Sequence, residues 1–220
     1  MGRVLLVHGA WLDPSCWNLV APTLRERGHQ VGVVDLPLES LVGDTDAAQR
    51  ALDDLGTDVV VCGWSYGGVV ITGLEPTQVR HLVYIASLMP DEEESLSSLN
   101  DRHPVEVETR FEFDGEGRVR PVADSVDAVL WPDAPIEVAS AARKSLRPQA
   151  PQTFFDMPKR VSWREVPTTY VICRHDRTVS PQLQHEQAQR ATHTIEWDVS
   201  HAPMLSRPEI VIELIDSLAR

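Results

Sequence analysis

The sequence predicts an α/β fold: a three-layer α/β/α sandwich with a mostly parallel sheet of about six strands and a small cap insertion. Two observations predict it. Short apolar runs recur along the 220 residues, and most are continuous rather than alternating, as in strands that are covered on both faces. Segments with helical spacing of apolar residues lie between these runs, and this alternation is typical of βαβ units with right-handed crossovers.

Six runs rich in β-branched and aliphatic residues are predicted as strands. They are Val4–Val7, Val31–Asp35, Asp58–Cys62, His81–Ala86, Thr169–Cys173 and Thr194–Val199. The predicted helices between and after them are Cys16–Arg27, Asp44–Leu55, Tyr66–Leu74, Pro181–Ala191 and Pro208–Leu218. In the first helix Leu19, Val20 and Leu24 share one face, and Ser180 is the predicted N-cap of the fourth.

The alternation stops between residues 88 and 164. This stretch contains a hairpin pattern that turns at Asp114-Gly115 and a helical segment over Ile136–Leu146. We interpret it as an insertion between two strands, at the place where a lid over the site would be attached. The predicted organisation is a core of residues 1–87 and 165–220 with a cap or lid of residues 88–164.

Charge and cysteine content exclude several classes of function. The net charge of −13 disfavours binding to nucleic acid or to an anionic membrane surface. Cys16, Cys62 and Cys173 are odd in number and far apart, so they indicate neither a disulfide framework nor a zinc site. No signal peptide or membrane span is recognised. We therefore expect a cytoplasmic protein without a metal.

Residues 63–67, Gly-Trp-Ser-Tyr-Gly, match the pattern G-x-S-x-G. This pattern places a serine on a sharp strand-to-helix turn, where small neighbours let the chains pass closely. Here a predicted strand precedes the motif and a predicted helix follows it, which favours a nucleophile at Ser65 over an ordinary glycine-rich turn.

A serine hydroxyl needs a base to remove its proton. Of eight histidines, only His201 follows the last predicted strand, and it is the candidate base. The group that orients the base is predicted as Asp176, which follows the strand Thr169–Cys173; a helix cap is the alternative role for this residue. Asp198 is the rival, but it is placed within a strand and close to His201 along the chain. The order Ser65, Asp176, His201 is that of one of the three common triad arrangements.

Stabilisation of a tetrahedral intermediate requires preorganised N–H donors. We expect one from the backbone of Tyr66, directly after the nucleophile, and one from Ala10 in the loop after the first strand. Apolar residues near these loops or in the cap are candidate pocket residues, with packing as the alternative for Trp131, Phe154 and Phe155. The candidates are Trp11, Trp64, Leu88, Met89, Trp131, Phe154, Phe155 and Met204.

Five motifs together resemble the α/β-hydrolase superfamily, and within it the compact esterase branch that contains plant methylesterases and hydroxynitrile lyases. They are His8-Gly9-Ala10-Trp11, Asp35-Leu36-Pro37, Gly63-Trp64-Ser65-Tyr66-Gly67-Gly68, His175-Asp176-Arg177 and Ser200-His201-Ala202-Pro203-Met204-Leu205. The resemblance implies ester hydrolysis without a cofactor, with the triad and Ala10 in the roles given above. Hydroxynitrile lyases of this branch carry a lysine after the catalytic histidine, where this chain has Ala202, so lyase activity is disfavoured.

The expected function is a serine hydrolase that cleaves a carboxylic ester of a small apolar substrate through an acyl-enzyme. Its expected partner is that small-molecule ester, with no nucleic acid or membrane, and its expected state is monomer or homodimer. Other triad chemistry, such as that of a thioesterase, a lactonase or a lyase, and a ligand-binding protein without catalysis remain alternatives because fold and triad do not fix the substrate. A nicotinamide enzyme is rejected because no G-x-G-x-x-G follows the first strand.

Overall fold

The computed structural model describes residues 1–105, 109–123 and 125–220. Its strands are β1 (Arg3–Val7), β2 (Gln30–Val33), β3 (Val59–Trp64), β4 (Val79–Ile85), β5 (Phe111–Phe113), β6 (Val119–Pro121), β7 (Thr168–Cys173) and β8 (His193–Trp197). Its helices are α1 (Ala21–Glu26), α2 (Leu41–Leu55), α3 (Tyr66–Thr72), α4 (Leu96–Asn100), α5 (Asp127–Leu130), α6 (Ile136–Lys144), α7 (Pro181–Ala188), α8 (Pro203–Ser206) and α9 (Pro208–Ala219).

Six strands form one sheet in the order β2-β1-β3-β4-β7-β8, and every neighbouring pair is parallel. All residues of β3 and β7 are buried, whereas the edge strands β2 and β8 are partly exposed. Continuous apolar runs suit strands that helices cover on both faces. The predicted fold class is confirmed.

Alternate residues of β1 face two separate hydrophobic cores. Val4 and Leu6 pack in one core with α1 and α9, whereas Leu5 and Val7 pack in the other core with α2 and α3. Successive side chains of a strand point to opposite faces of the sheet, so the sheet lies between two layers of helices.

Three predicted strands end too late, one of them by a single residue because β4 ends at Ile85 rather than Ala86. β2 ends at Val33 and β8 ends at Trp197, so Asp35, Asp198 and Val199 lie in the loops that follow. β3 runs two residues beyond its predicted end because Trp64 still pairs with Ile85 of β4. These ends matter because the loops after the strands carry the candidate catalytic groups.

The predicted helix Cys16–Arg27 is wrong in its first half. A 3-10 turn, Pro14–Trp17, is followed by a separate α1 whose second residue is Pro22. Proline lacks the N–H that a helix interior requires, so it belongs in a first turn and sets where the helix begins. As a result Leu19 is 42% exposed and does not share the buried face of Val20 and Leu24.

Side-chain caps set the starts of two other helices. α2 begins three residues before its predicted start because Ser40 Oγ accepts the Gly43 N–H at 3.1 Å. Ser180 is the N-cap of α7, as predicted, and its Oγ accepts the Leu183 N–H at 3.2 Å. α3 and α7 end two and three residues before their predicted ends.

Residues 88–164 connect β4 to β7. The connection includes α4, the antiparallel hairpin β5–β6, α5 and α6. The hairpin turns where the sequence predicts, with the Gly117 N–H donating to Asp114 O and Gly117 at a φ of 77° that favours glycine. Trp131 packs in the same hydrophobic core as α1 and α9, so this part of the connection lies directly on the core.

Within the described ranges, no helix combines the length and the apolar character that crossing a bilayer requires.

Candidate active site

Ser65 occupies the turn between β3 and α3 with φ 55° and ψ −124°. Positive φ is uncommon for a residue other than glycine and marks a strained turn. The glycines around it are required by close backbone approach: a Cβ at Gly63 would lie 2.6 Å from Gly67 O, and one at Gly67 would lie 2.5 Å from Val7 O. The spacing of G-x-S-x-G therefore follows from the sharpness of this turn.

The backbone on both sides of Ser65 is anchored to β4 and the loop after it. The Ser65 N–H donates to Ile85 O at 3.1 Å, and the buried Ser87 hydroxyl donates to Ser65 O at 2.6 Å. A Cβ at Gly68 would lie 1.7 Å from Ser87 Oγ, so the second glycine of the pair makes room for this hydroxyl. Sequence reasoning missed Ser87, because a serine after a strand belongs to no motif.

Asp176 and His201 form a buried pair. His201 Nδ1 lies 2.7 Å from Asp176 Oδ2, and both side chains are at most 1% exposed. Because the carboxylate accepts a proton from Nδ1, the neutral ring presents Nε2 as an acceptor. In the part of the chain that is described, this buried Nε2 has no hydrogen-bond partner. The ring therefore retains one free acceptor, as a general base requires.

The Asp176 carboxylate is fixed by three further donors. Oδ1 accepts the backbone N–H groups of Thr178 at 2.7 Å and Val179 at 3.0 Å, and Oδ2 accepts Gln184 Nε2 at 2.8 Å. Gln184 is fully buried on α7 and also accepts the Cys173 N–H at 2.9 Å. Sequence reasoning missed Gln184, whose contribution depends on the position of α7 against β7.

His201 is held by neighbours on two sides. Trp64 Nε1 donates to His201 O at 2.7 Å, and the two rings lie 5.2 Å apart. On the other side, the Asp133 carboxylate accepts the backbone N–H of Ser200 at 2.9 Å and also accepts a hydrogen bond from the Ser200 hydroxyl. The backbone on both sides of the ring is therefore fixed, once by the motif around Ser65 and once by the connection between β4 and β7.

Asp198 does not contact His201. It lies in the loop after β8, its side chain is 78% exposed, and it bonds His175 Nε2 at 2.7 Å. The sequence prediction placed it within the strand, which is wrong because β8 ends at Trp197. Between the two carboxylates the structure brings only Asp176 to the imidazole.

The loop after β1 lies directly against Ser65. A Cβ at Gly9 would be 3.0 Å from Ser65 Cβ and 3.0 Å from the Trp64 ring, so only glycine fits without a shift. Ala10 follows in the same loop. Tyr66 is the first residue of α3, and the first N–H groups of a helix have no intrahelical acceptor. Both predicted oxyanion donors thus lie on segments that adjoin Ser65; their role remains a prediction.

The side chain of Tyr66 points into the core. Its hydroxyl donates to Asp44 Oδ2 at 2.6 Å, and Asp44 Oδ1 accepts the Leu38 N–H at 2.7 Å. Burial raises the pKa of the Asp44 carboxyl and raises the pKa of the Tyr66 phenol. The pair fixes the start of α3 and the loop around Leu38 together.

His8 is a buried neutral imidazole beside the same loop. Its Nε2 accepts the Leu36 N–H at 3.1 Å, so the proton is on Nδ1, which donates to Gly9 O at 2.8 Å. Burial lowers the pKa of His8 to about 4. The motif included His8 among its residues, but the sequence assigned it no role of its own.

The lowered pKa of His8 predicts acid sensitivity of the fold. The unfolded chain takes up this proton near pH 6.5 and the folded chain only near pH 4, so the free energy of unfolding falls as the pH falls through this interval. From pH 7 to pH 5 we expect a loss of about 2 kcal/mol from this residue. Urea unfolding of wild type and His8→Asn at both pH values measures it.

Burial also lowers the pKa of His81 to about 4. His81 is present in both proteins, so its contribution to the pH dependence of the free energy of unfolding cancels in that comparison. An equal dependence on pH in wild type and His8→Asn would contradict the assignment of a neutral His8.

A groove of about 330 Å³ opens beside Trp11. Its lining residues are Trp11, Leu96, Ser97, Asn100, Asp101, Phe111, Val119 and Phe154. The Trp11 ring lies 5.3 Å from the Phe111 ring and 5.6 Å from the Phe154 ring. Of the eight predicted pocket residues, the structure therefore places Trp11 and Phe154 on this groove.

The other six predicted pocket residues do not line the groove. Phe155 is 63% exposed and lies outside it. Five pack in the two hydrophobic cores and are at most 1% exposed: Trp64, Leu88, Met89, Trp131 and Met204. These five side chains pack the cores beneath the site, and a role of any of the six in a substrate pocket remains a prediction.

Comparisons with known proteins find relatives over nearly the whole chain. The sequence model of a family described as the alpha/beta hydrolase family matches residues 4–214. The chain is 28% identical over 242 residues to Alpha/beta hydrolase nvfD of Aspergillus novofumigatus, covering 98% of this chain and 96% of that protein. It is 26% identical over 262 residues to Methylesterase 3 of Arabidopsis thaliana, covering 99% and 95%.

Solved structures show the same fold. The structure of polyneuridine aldehyde esterase matches with a TM-score of 0.85 at 20% identity, over 100% of both chains. A pyrethroid hydrolase from Sphingobium faniae matches with a TM-score of 0.84 at 21% identity, over 99% of this chain and 97% of that one. At these identities the structural likeness establishes the shared fold and leaves the substrate open.

Proposed function

The chain belongs to the alpha/beta hydrolase family and is a carboxylesterase-like hydrolase, and from this we propose that it is a serine esterase that works through an acyl-enzyme. The observation that carries the proposal is the buried Asp176–His201 pair whose Nε2 is free, on loops at the edge of the sheet where Ser65 occupies its strained turn. Nucleophile, base and orienting carboxylate are the three roles of a catalytic triad.

In this mechanism Ser65 Oγ attacks the ester carbonyl while His201 Nε2 takes the hydroxyl proton. Asp176 holds the ring in the Nδ1–H form and stabilises the imidazolium that develops. The N–H groups of Ala10 and Tyr66 stabilise the oxyanion. His201 then protonates the leaving alcohol, and a water molecule, activated in the same way, releases the acid and regenerates Ser65.

We further propose that the groove beside Trp11 accepts the apolar part of a small ester. Trp11 lies two residues after Gly9, which packs on Ser65, and this short separation along the chain supports a groove that adjoins the reacting carbonyl. Its aromatic side chains offer dispersion contacts to an aliphatic or aromatic acyl chain.

A panel of p-nitrophenyl esters from acetyl to octanoyl tests the esterase activity, and a fluorophosphonate probe followed by peptide mapping tests the nucleophile. We expect hydrolysis of some members of the panel and modification at Ser65 alone. Labelling of a different serine would contradict the triad, and the absence of both hydrolysis and labelling would contradict the esterase function.

Phe111→Ala tests the groove. The loss of one aromatic contact is expected to lower kcat/KM for hexanoyl and benzoyl esters about tenfold, with the acetyl ester changed less than twofold, because even a methylene-sized contact in an apolar pocket contributes about 1–3 kcal/mol. The kcat/KM values of wild type and Phe111→Ala are compared for each ester in the same assay.

Phe113→Ala is the matched control for that change. Phe113 lies on the same short strand β5, is 70% exposed and does not line the groove. Equal losses in Phe111→Ala and Phe113→Ala, or an equal loss for acetyl and hexanoyl esters, would contradict the assignment of the groove.

A further inference from the structure

We propose that Gln149, together with Arg147, is a positioning residue that presets the N–H of Ala10 for the oxyanion. The inference rests on the proposed function, since Ala10 is an oxyanion donor only in a serine esterase. Both residues belong to the connection between β4 and β7, more than 130 positions away along the chain from the loop that they hold.

Trp11 has a backbone conformation that requires support. Its φ of 60° lies in the left-handed region, which is unfavourable for a bulky side chain by about 1–3 kcal/mol. Both polar groups of its backbone are bound by the connection. Trp11 N–H donates to Gln149 Oε1 at 3.0 Å, and Trp11 O accepts the Arg147 N–H at 2.8 Å. The first bond fixes the peptide that joins Ala10 to Trp11, and the second fixes the next peptide, which joins Trp11 to Leu12.

The peptide before Ala10 is fixed from the opposite side. His8 Nδ1 donates to Gly9 O at 2.8 Å, and in a trans peptide that oxygen points away from the N–H of Ala10. Arg147 Nη2 contacts His8 Nε2 at 3.1 Å, and Arg147 Nε donates to Leu12 O at 2.7 Å. Ala10 thus lies between two fixed peptides, Gly9–Ala10 and Ala10–Trp11. The connection between β4 and β7 contributes hydrogen bonds that hold both.

Gln149 is itself held rigidly. It is fully buried, its Nε2 donates to Thr153 Oγ1 at 2.7 Å, and its backbone pairs in both directions with Val119 of β6 at 2.8 Å. The Oε1 atom therefore lies at a fixed place relative to the hairpin and to the loop after β1. A donor that is already aimed at the developing charge needs no reorganisation during the reaction, so its effect is on kcat.

Gln149→Leu tests the inference, because leucine has a similar volume and no acceptor. It leaves the Trp11 N–H unpaired, so the loop relaxes from its strained conformation. We expect kcat on the acetyl ester to fall at least about tenfold with KM within about threefold, since the lost interaction is one made in the transition state. The pH at half-maximal kcat/KM stays as in wild type, because His201 is not touched. Gln149→Glu keeps an oxygen at the acceptor position and is expected to recover most of kcat.

Hydrogen exchange of the peptide that contains residues 8–12 supplies a measurement that does not need activity. We expect faster exchange there in Gln149→Leu than in wild type. Gln152→Leu is the matched control: it makes the same chemical change at an exposed glutamine three positions further along the chain, whose amide donates to Asp156, and it is expected to keep kcat within about twofold of wild type. If Gln149→Leu does not fold, Arg147→Met takes its place, with a loss of kcat of the same direction.

Unchanged exchange over residues 8–12 in a folded Gln149→Leu protein would overturn the inference, as would equal losses of kcat in Gln149→Leu and Gln152→Leu. Failure of the proposed function has a different signature: wild type itself hydrolyses no ester and Ser65 takes no fluorophosphonate. In that case the exchange measurement alone still decides whether Gln149 holds the loop.

Discussion

Ser65→Ala is expected to lower kcat for ester hydrolysis by a factor of about 10⁴ to 10⁶, to the level left by the oxyanion donors and substrate binding. Alanine removes only the hydroxyl oxygen, which is the proposed nucleophile. Its Cβ occupies the same position, and it has the same difficulty as serine with a φ of 55°, so the turn between β3 and α3 is retained. We expect the free energy of unfolding to change by no more than about 1 kcal/mol. Steady-state kinetics with a p-nitrophenyl ester, together with urea unfolding, measure both quantities.

Ser217→Ala is a suitable control for that variant. Ser217 is exposed on α9 and donates only to Leu214 O, one turn earlier in the helix. It is expected to keep wild-type kcat. A Ser65→Ala protein that retains more than about 1% of kcat would show that another nucleophile acts, because a triad hydrolase without its nucleophile keeps only a small residual activity.

The position of the three candidate residues could be predicted because it depends on the sheet. Ser65, Asp176 and His201 each follow a strand of the sheet, and parallel strands bring their carboxyl ends to one edge. The prediction needed only the order of runs and loops. It tolerated the errors of one or two residues at strand ends, such as the end of β3 at Trp64 rather than Cys62.

The residues that orient this site could not be found in the same way. Gln184 reaches Asp176 through the position of α7 against β7, and Gln149 reaches Trp11 from the far end of an irregular connection. Single glutamines have no motif, and their hydrogen-bond partners depend on side-chain directions that a one-dimensional pattern does not contain. Ser87 was missed for the same reason.

Most residues that line the groove beside Trp11 were not selected from the sequence, for a related reason. Met204 and Leu88 next to the site are apolar because the core requires it, whereas Phe111 on the hairpin lines the groove and was not selected. An apolar residue looks the same in sequence whether it packs a core or lines a groove. The break before α1 is different, since Pro22 was visible in the sequence and its preference for a first turn could have placed the helix start correctly.

Asp176→Asn is expected to lower kcat/KM at pH 7 by a factor of about 10³ to 10⁴. Oδ2 of Asp176 faces two donors, His201 Nδ1 at 2.7 Å and Gln184 Nε2 at 2.8 Å, while Oδ1 faces the backbone N–H groups of Thr178 and Val179. An asparagine side chain has a single oxygen, which can occupy either the position of Oδ1 or the position of Oδ2, and its amide nitrogen takes the other. If the oxygen remains on the backbone donors, the amide nitrogen faces the imidazole and favours the proton on Nε2, where the ring no longer accepts the Ser65 proton.

Asp198→Asn makes the same chemical change at the rival carboxylate, and its effect separates the two assignments. Asp198 is exposed and bonds His175, so we expect kcat/KM within about twofold of wild type and a similarly small change in stability. Both variants are measured with one ester over pH 5 to 9, alongside thermal unfolding. A large loss in Asp198→Asn with little loss in Asp176→Asn would reverse the assignment. Equal large losses in two folded proteins would show that net negative charge near His201, rather than the tautomer set by Asp176, supports catalysis.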